Sequence, residues 1–316
     1  MTTTVSPSAD PAEIGRQSRI DLRAAANRAR SRQARLLVAP ALFFSIALTQ
    51  IPFLVTIYFS TLRWNQLRPA EIEFIGLDNY AVVFTGPDFL PSLWATVLIT
   101  GTSVLMSLVL GMLFAVLLDR RFLGRGLART LMITPFLVMP AAAALIWKWS
   151  MLDVNVGMVN VALDALGLPA IAWNTDLPIA TIIILLTWQY TPFMMLILLA
   201  GLQSQNREVL EAASVDGAGP WRTFRYMTLP HLRQYMEIGV LLGSIMMLQA
   251  FDPIAIMTKG TGGTKTLAYL LYERAFIGLD VGEAAAFGVV TVVVTIVVAT
   301  IALRSLFSVF VKGGER

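Results

Sequence analysis

The 316-residue chain is 56% hydrophobic and only 14% charged, with a mean hydropathy of +0.70, whereas soluble domains carry about a quarter charged residues. It has no cysteine, which excludes disulfides, thiolate metal ligation and cysteine nucleophiles. The net charge of +4 and pI near 9.6 would suit nucleic acid, but the placement of the positive charges follows membrane topology instead.

In chain order, residues 2–12 are rich in Ser, Thr and Pro and predict disorder. Residues 13–35 hold seven arginines. They read either as a basic helix along an anionic inner leaflet or as a solvated tail that fixes orientation. This 1–35 extension is too long and polar for a cleavable signal, because a full-length apolar span follows it. Six apolar segments of near-spanning length come next, at about 36–60, 93–118, 130–149, 178–203, 238–257 and 285–303, before a short tail over 304–316. Lipid offers the backbone no hydrogen-bond partner, so the segments are predicted helices of an all-α integral membrane protein. Pro40 and Pro52 in the first and Pro135 and Pro140 in the third predict bends.

Lysines and arginines set the orientation. The N-terminal extension, the 119–129 loop, the 204–233 segment and the tail together hold 18 of them, and the alternate segments 61–92, 148–177 and 258–283 hold 6 and are rich in acids. Both termini and residues 204–233 are therefore predicted to be cytoplasmic.

The 204–233 segment has its own grammar. Residues 206–216 carry strong helix formers, with Val209, Leu210 and Ala213 on one side. Gly217 suits a left-handed C-terminal position, Pro220 the first turn of a second helix, and Pro230 the start of the fifth span. Such a helix–turn–helix between two spans is either a docking surface or an interfacial connector.

Within it, "EAASVDG" followed at fixed spacing by "LP" resembles the EAA loop of ABC importer permeases. Glu211, Ala212, Ala213, Asp216 and Gly217 match its first half, and Leu229 and Pro230 its second; Met227 stands where the family usually has isoleucine. "FIGLDNYAVVF" (74–84) and "KGTGGTKTLAYLLYERAFIGLDVGEAAAFG" (259–288) resemble outer segments of maltose-type carbohydrate permeases. "TPFLVMPAAAALIWKWSM" and "WQYTPFMMLILLAGLQSQ" look closest to the polyol (mannitol or sorbitol) branch.

The resemblance implies a type I ABC importer permease fold of six transmembrane helices in a bacterial inner or plasma membrane. It also implies a second, related permease, two copies of an ABC ATPase subunit, and a substrate-binding protein docked on 61–92 and 258–283. The EAA loop would seat in a cleft of the ATPase subunit, with Glu211 making charged contacts and Gly217 allowing the turn. ATP and magnesium would be bound by that subunit, with no cofactor on this chain.

The residues themselves offer no catalytic site. "GTGGTKT" (260–266) lacks the glycine spacing of a phosphate-binding loop and lies on the outer face. His231 is the only histidine and has no ligand or triad partner at useful spacing; it is expected at the membrane surface. The rival class is an ion-coupled secondary carrier, which places ionisable groups deep in the bilayer. Here Glu237 and Asp252 fall toward opposite ends of the fifth span and Lys148 at the outer end of the third.

Candidate pathway residues are Trp188, Gln189 and Tyr190 beside Pro192, and Gln249 and Asp252 before Pro253. A buried amide in lipid requires a partner, so the two glutamines face the bundle either as pathway residues or as interhelical links. Trp147 and Trp149 fit an aromatic belt. The spans hold no basic cluster, which favours a neutral sugar or polyol over glycerol phosphate.

Overall fold

The computed structural model describes residues 38–120 and 122–311, with side chains up to residue 301. The basic stretch 13–35 and the last five residues lie outside the described residues. The described chain falls into two compact units.

The first ends at Tyr58, and its described residues all lie in helix α1, Val38–Phe59. Its apolar side chains, among them Phe43, Phe44, Leu48 and Leu54, are exposed, as a bilayer-spanning element requires. Thr49 and Thr56 return their hydroxyls to the carbonyls of Ser45 (2.8 Å) and Pro52 (3.0 Å), so neither presents an unmatched donor to lipid.

The second unit opens with a small exception to the all-α expectation. Strands β1 (Leu62–Arg63) and β2 (Glu73–Phe74) pair antiparallel, with Leu62 opposite Phe74 and Arg63 opposite Glu73. Helix α2 (Asp78–Thr85) follows, and its buried Asn79 donates to the carbonyls of Ser60 (2.9 Å) and Leu62 (2.8 Å), holding the hairpin's entry.

Helix α3 (Phe89–Asp119) has 31 residues, about 46 Å at 1.5 Å per residue. Down one face run Ser92, Thr96, Thr100, Ser103, Ser107, Gly111 and Ala115, all buried. These small residues let the backbone of α8 (Pro178–Ser204) approach closely. A Cβ on Gly111 would stand 2.7 Å from the Met194 Cβ and 2.9 Å from the Met195 nitrogen. The core around this contact is Ile99, Val104, Ile182, Leu185, Leu186 and Met194.

The third predicted span is not one straight helix. Helix α4 (Arg125–Leu137) meets α5 (Pro140–Leu145), which continues as wide π-helical turns over Ile146–Met151, at a bend of 94°. Pro135 removes one intrahelical donor, and Pro140 forces the chain before it out of the helical region: Val138 and Met139 are extended. Two short helices, α6 (Met158–Ala165) and α7 (Trp173–Asp176), then lead into α8.

After α8 come α9 (Arg207–Val215), α10 (Pro220–Thr223) and α11 (Leu229–Leu248). The fifth predicted span, 238–257, is also divided. α11 stops at Gln249, and a wide turn over Ile254–Thr258 resumes after Pro253. The near half of α11 carries an Arg233–Glu237 ion pair at 2.8 Å, so its purely apolar stretch is short. Helix α12 (Leu267–Tyr272), another wide turn (Glu273–Ile277) and α13 (Val281–Val311) complete the chain. α13 runs eight residues into the tail expected to begin at residue 304.

Among the described residues four helices are long and apolar enough to cross a membrane, or five if the bent α4–α5 pair is one span.

Candidate functional site

The connector between α8 and α11 consists of α9, α10 and a wide turn at Phe224–Thr228. Asn206 caps α9, its side-chain oxygen accepting from the Glu208 amide at 3.0 Å, a contact worth about 1 kcal/mol. α9 turns Ala213 inward (3% exposed) and leaves Glu211 and Ala212 in the open. Its end closes as predicted from glycine: Gly217 has φ +79°, its amide donates to Ser214, and the Ala218 amide reaches the Ala213 carbonyl at 2.9 Å. Asp216, just before it, is exposed at the helix end.

Pro220 opens α10, also as predicted. Pro230 stands in the first turn of α11, as predicted, but the helix does not begin anew there. The helix runs on from α10 into α11 through a wide turn at Phe224–Thr228, where the Leu229 amide bonds to Phe224 rather than one residue nearer. Proline at 230 has no amide to give and would press on the carbonyl four residues back, and the widened turn accommodates it without ending the helix.

Large apolar side chains of this connector are exposed among its charged ones. Val215, Trp221 and Tyr226 are 86%, 73% and 74% exposed, and Trp221 stacks on Phe224 with centroids 6.0 Å apart. Beside them lies a cavity of about 320 Å³ lined by Ala218, Arg222, Thr223, Tyr226 and Met227.

A hydrogen-bond cluster that the sequence did not reveal fastens the connector to the spans. His231 Nε2 lies 3.1 Å from the Gly201 carbonyl oxygen and 3.1 Å from Ser204 Oγ. Ser204 Oγ is in turn 2.8 Å from Tyr235 OH and 2.8 Å from the Gly201 carbonyl. The first turns of α11 are thus tied to the last turn of α8. Only the single histidine hinted at it, since its partners lie some thirty positions earlier.

The predicted pathway residues are partly dispersed. Gln189 is 3% exposed, and its Nε2 donates at 3.0 Å to the carbonyl of Val138, in the break between α4 and α5. Its Oε1 finds no donor among the described residues. Trp188 packs edge-on against Trp147 at 5.6 Å and lines an apolar cavity of about 440 Å³ with Leu131, Pro135, Thr191 and Met195. Trp147 is therefore a packing partner, while Trp149 is exposed. Tyr190 meets Phe136 edge-on at 6.1 Å and lies in electrostatic range of Asp252. Gln249 is exposed where α11 stops. Lys148 donates to the Ile256 carbonyl at 2.7 Å, joining the two wide turns after the broken spans.

At the opposite end of α3 an ion-pair network gathers four elements. Arg274 contacts Asp88 (2.9 Å) and Glu283 (3.3 Å), and Lys265 contacts Glu273 (2.7 Å) and, more distantly, Asp88 (3.9 Å). The lysine of "GTGGTKT" is thus held by carboxylates.

Comparison with known proteins agrees with this architecture. Residues 35–312 match the model of the family described as binding-protein-dependent transport system inner membrane component. A probable ABC transporter permease of Sinorhizobium fredii is 35% identical over 272 residues, covering 85% of this chain and 88% of that protein. The trehalose transport system permease SugA of Mycobacterium tuberculosis is 31% identical, covering 91% and 92%. The sulfoquinovosyl glycerol transport system permease SmoG of Agrobacterium fabrum is 34% identical, covering 86% and 89%. In fold, a chain of a bacterial alginate-importing ABC transporter superposes with a TM-score of 0.73 at 20% identity, covering 90% of this chain and 99% of that one. These relatives are permease subunits, not enzymes, and this chain belongs to the family of binding-protein-dependent transport system inner membrane components.

Proposed function

We propose that this permease forms half of the translocation pathway of an ATP-driven importer for a neutral carbohydrate, a sugar or a polyol. It crosses the membrane six times with both termini in the cytoplasm, the broken α4–α5 and α11 segments each counting as one crossing. Its partners are a second, related permease, two ATPase subunits that bind ATP and magnesium, and an extracytoplasmic binding protein. The arginine and lysine asymmetry supports the orientation. Relatives named for trehalose and sulfoquinovosyl glycerol transport support the carbohydrate class.

The observation that carries the coupling role is the connector itself. A capped helix, a glycine turn and an exposed Val215–Trp221–Tyr226 face are tied through His231 to the end of α8. A partner that pushes on this face moves α8 and α11 together, a rigid-body switch. Glu211 and Asp216 supply charge at its edge.

The test is to purify the chain with its copurifying subunits and measure ATPase activity with the binding protein present across sugars, polyols and glycerol phosphate. Stimulation by a neutral sugar or polyol is expected. Stimulation by glycerol phosphate alone, or absence of any ATPase partner, would overturn the reading.

A further inference from the structure

A cavity of about 390 Å³ lies where the α3–α4 corner meets the α8–α9 corner, lined by Asp119, Arg125, Arg129, Gln205 and Arg207 among others. Three guanidiniums share it with one carboxylate, and that carboxylate is a weak partner, 3.7 Å from Arg125. Arg125 Nε and Arg129 Nη2 both donate to the Leu118 carbonyl, at 2.7 and 3.3 Å, closing the end of α3. Arg129 Nε is sealed from solvent and has no acceptor among the described residues. Arg207 is exposed at the start of α9, and no acceptor for it is found among those residues.

A desolvated guanidinium N–H without an acceptor is costly. Convergent guanidinium forks suit a tetrahedral oxyanion with several oxygens better than a single carboxylate. On the topology proposed above, the cavity sits at bilayer-surface depth, because α3 and α8 end beside it. The adjoining α3–α4 corner points apolar side chains outward: Phe122 is 47% and Leu123 fully exposed. Apolar tips beside arginines are the signature of an interfacial lipid contact, and basic pockets between spans take anionic headgroups. A soluble acidic partner would leave Phe122 and Leu123 without a role.

We propose that this cavity binds the phosphodiester headgroup of an anionic phospholipid of the inner leaflet, bridging Arg129 and Arg207 and tying the start of α9 to the α3–α4 corner. Membrane composition would then bear on how firmly the coupling connector is held.

The test uses the assembled transporter in bilayers of phosphatidylcholine with and without phosphatidylglycerol, counting retained lipid by native mass spectrometry. Wild type is expected to retain phosphatidylglycerol over phosphatidylcholine. Arg129→Gln and Arg207→Gln should each lower that retention about fivefold, whereas Arg63→Gln in the outer hairpin should not. If Arg129→Gln fails to assemble, because it also helps close α3, Arg207→Gln decides alone. Unchanged retention in Arg207→Gln would overturn the proposal. So would displacement of the lipid by millimolar inorganic phosphate, which would mark a free-anion site, or crosslinking of position 207 to the ATPase subunit in place of lipid.

Discussion

The imidazole of His231 stands 3.1 Å from the carbonyl oxygen of Gly201, and this contact joins the first turn of α11 to the last turn of α8. A helix end leaves its last carbonyls without intrahelical donors; here a neighbouring span supplies one. The connector between the two helices therefore moves with both of them.

His231→Phe keeps the ring and removes the donor. A single hydrogen bond is worth about 1 kcal/mol, so the assembled complex should remain folded. Transport per ATP hydrolysed should fall several-fold while ATPase activity persists. Measuring uptake and hydrolysis in the same proteoliposomes checks this, and an unchanged ratio would show that the contact is only structural.

Gly217 has φ +79°, yet nothing lies within 4 Å of a Cβ built there. Conformation is the constraint, not space. Gly217→Asn should therefore be tolerated, and Gly217→Val should cost about 1–2 kcal/mol in the turn and lower ATPase copurification and uptake. Equal behaviour of the two variants would mean that the turn is not the joint.

Gln189→Leu removes the donor that satisfies the Val138 carbonyl. Leaving a buried acceptor unpaired costs about 1–3 kcal/mol, so the thermal midpoint of the purified complex should drop. A shift in substrate preference with no loss of thermal stability would assign Gln189 to the pathway and not to the bend.

Arg274→Gln removes the contacts to Asp88 and Glu283 that connect the starts of α3 and α13. Arg274 is 36% exposed, and each such pair contributes at most about 1 kcal/mol. Stability should change little. Stimulation of the ATPase by the binding protein, which is proposed to dock on this face, should weaken, as a titration of hydrolysis against binding protein would report.

Where an apolar run is uninterrupted, the chain announces its helices: 36–60 and 178–203 fall on Val38–Phe59 and Pro178–Ser204. The two segments that departed both contain or abut proline. Pro135 and Pro140 were visible as bends, but the hydrogen bond that Gln189 makes to the Val138 carbonyl within the 94° turn comes from another helix, a relation no local pattern encodes. Pro230 was legible as a first-turn proline of α11, but the wide turn at Phe224–Thr228 that joins α10 to it without a break was not. At the connector, Asn206, Gly217 and Pro220 act within a few residues of themselves, so their roles were legible. His231 was not, because its partners are 27 and 30 residues away.

The chain contains no cysteine, so one introduced thiol reports cleanly. Val215→Cys, on the exposed face of the connector, should react with a membrane-impermeant maleimide only from the cytoplasmic side of the bilayer. In the assembled transporter it should crosslink to the ATPase subunit, with a yield that changes when ATP is added. Labelling from the outside, or no crosslink with the ATPase subunit present, would contradict the assignment of this connector as the point where ATP hydrolysis acts on the permease.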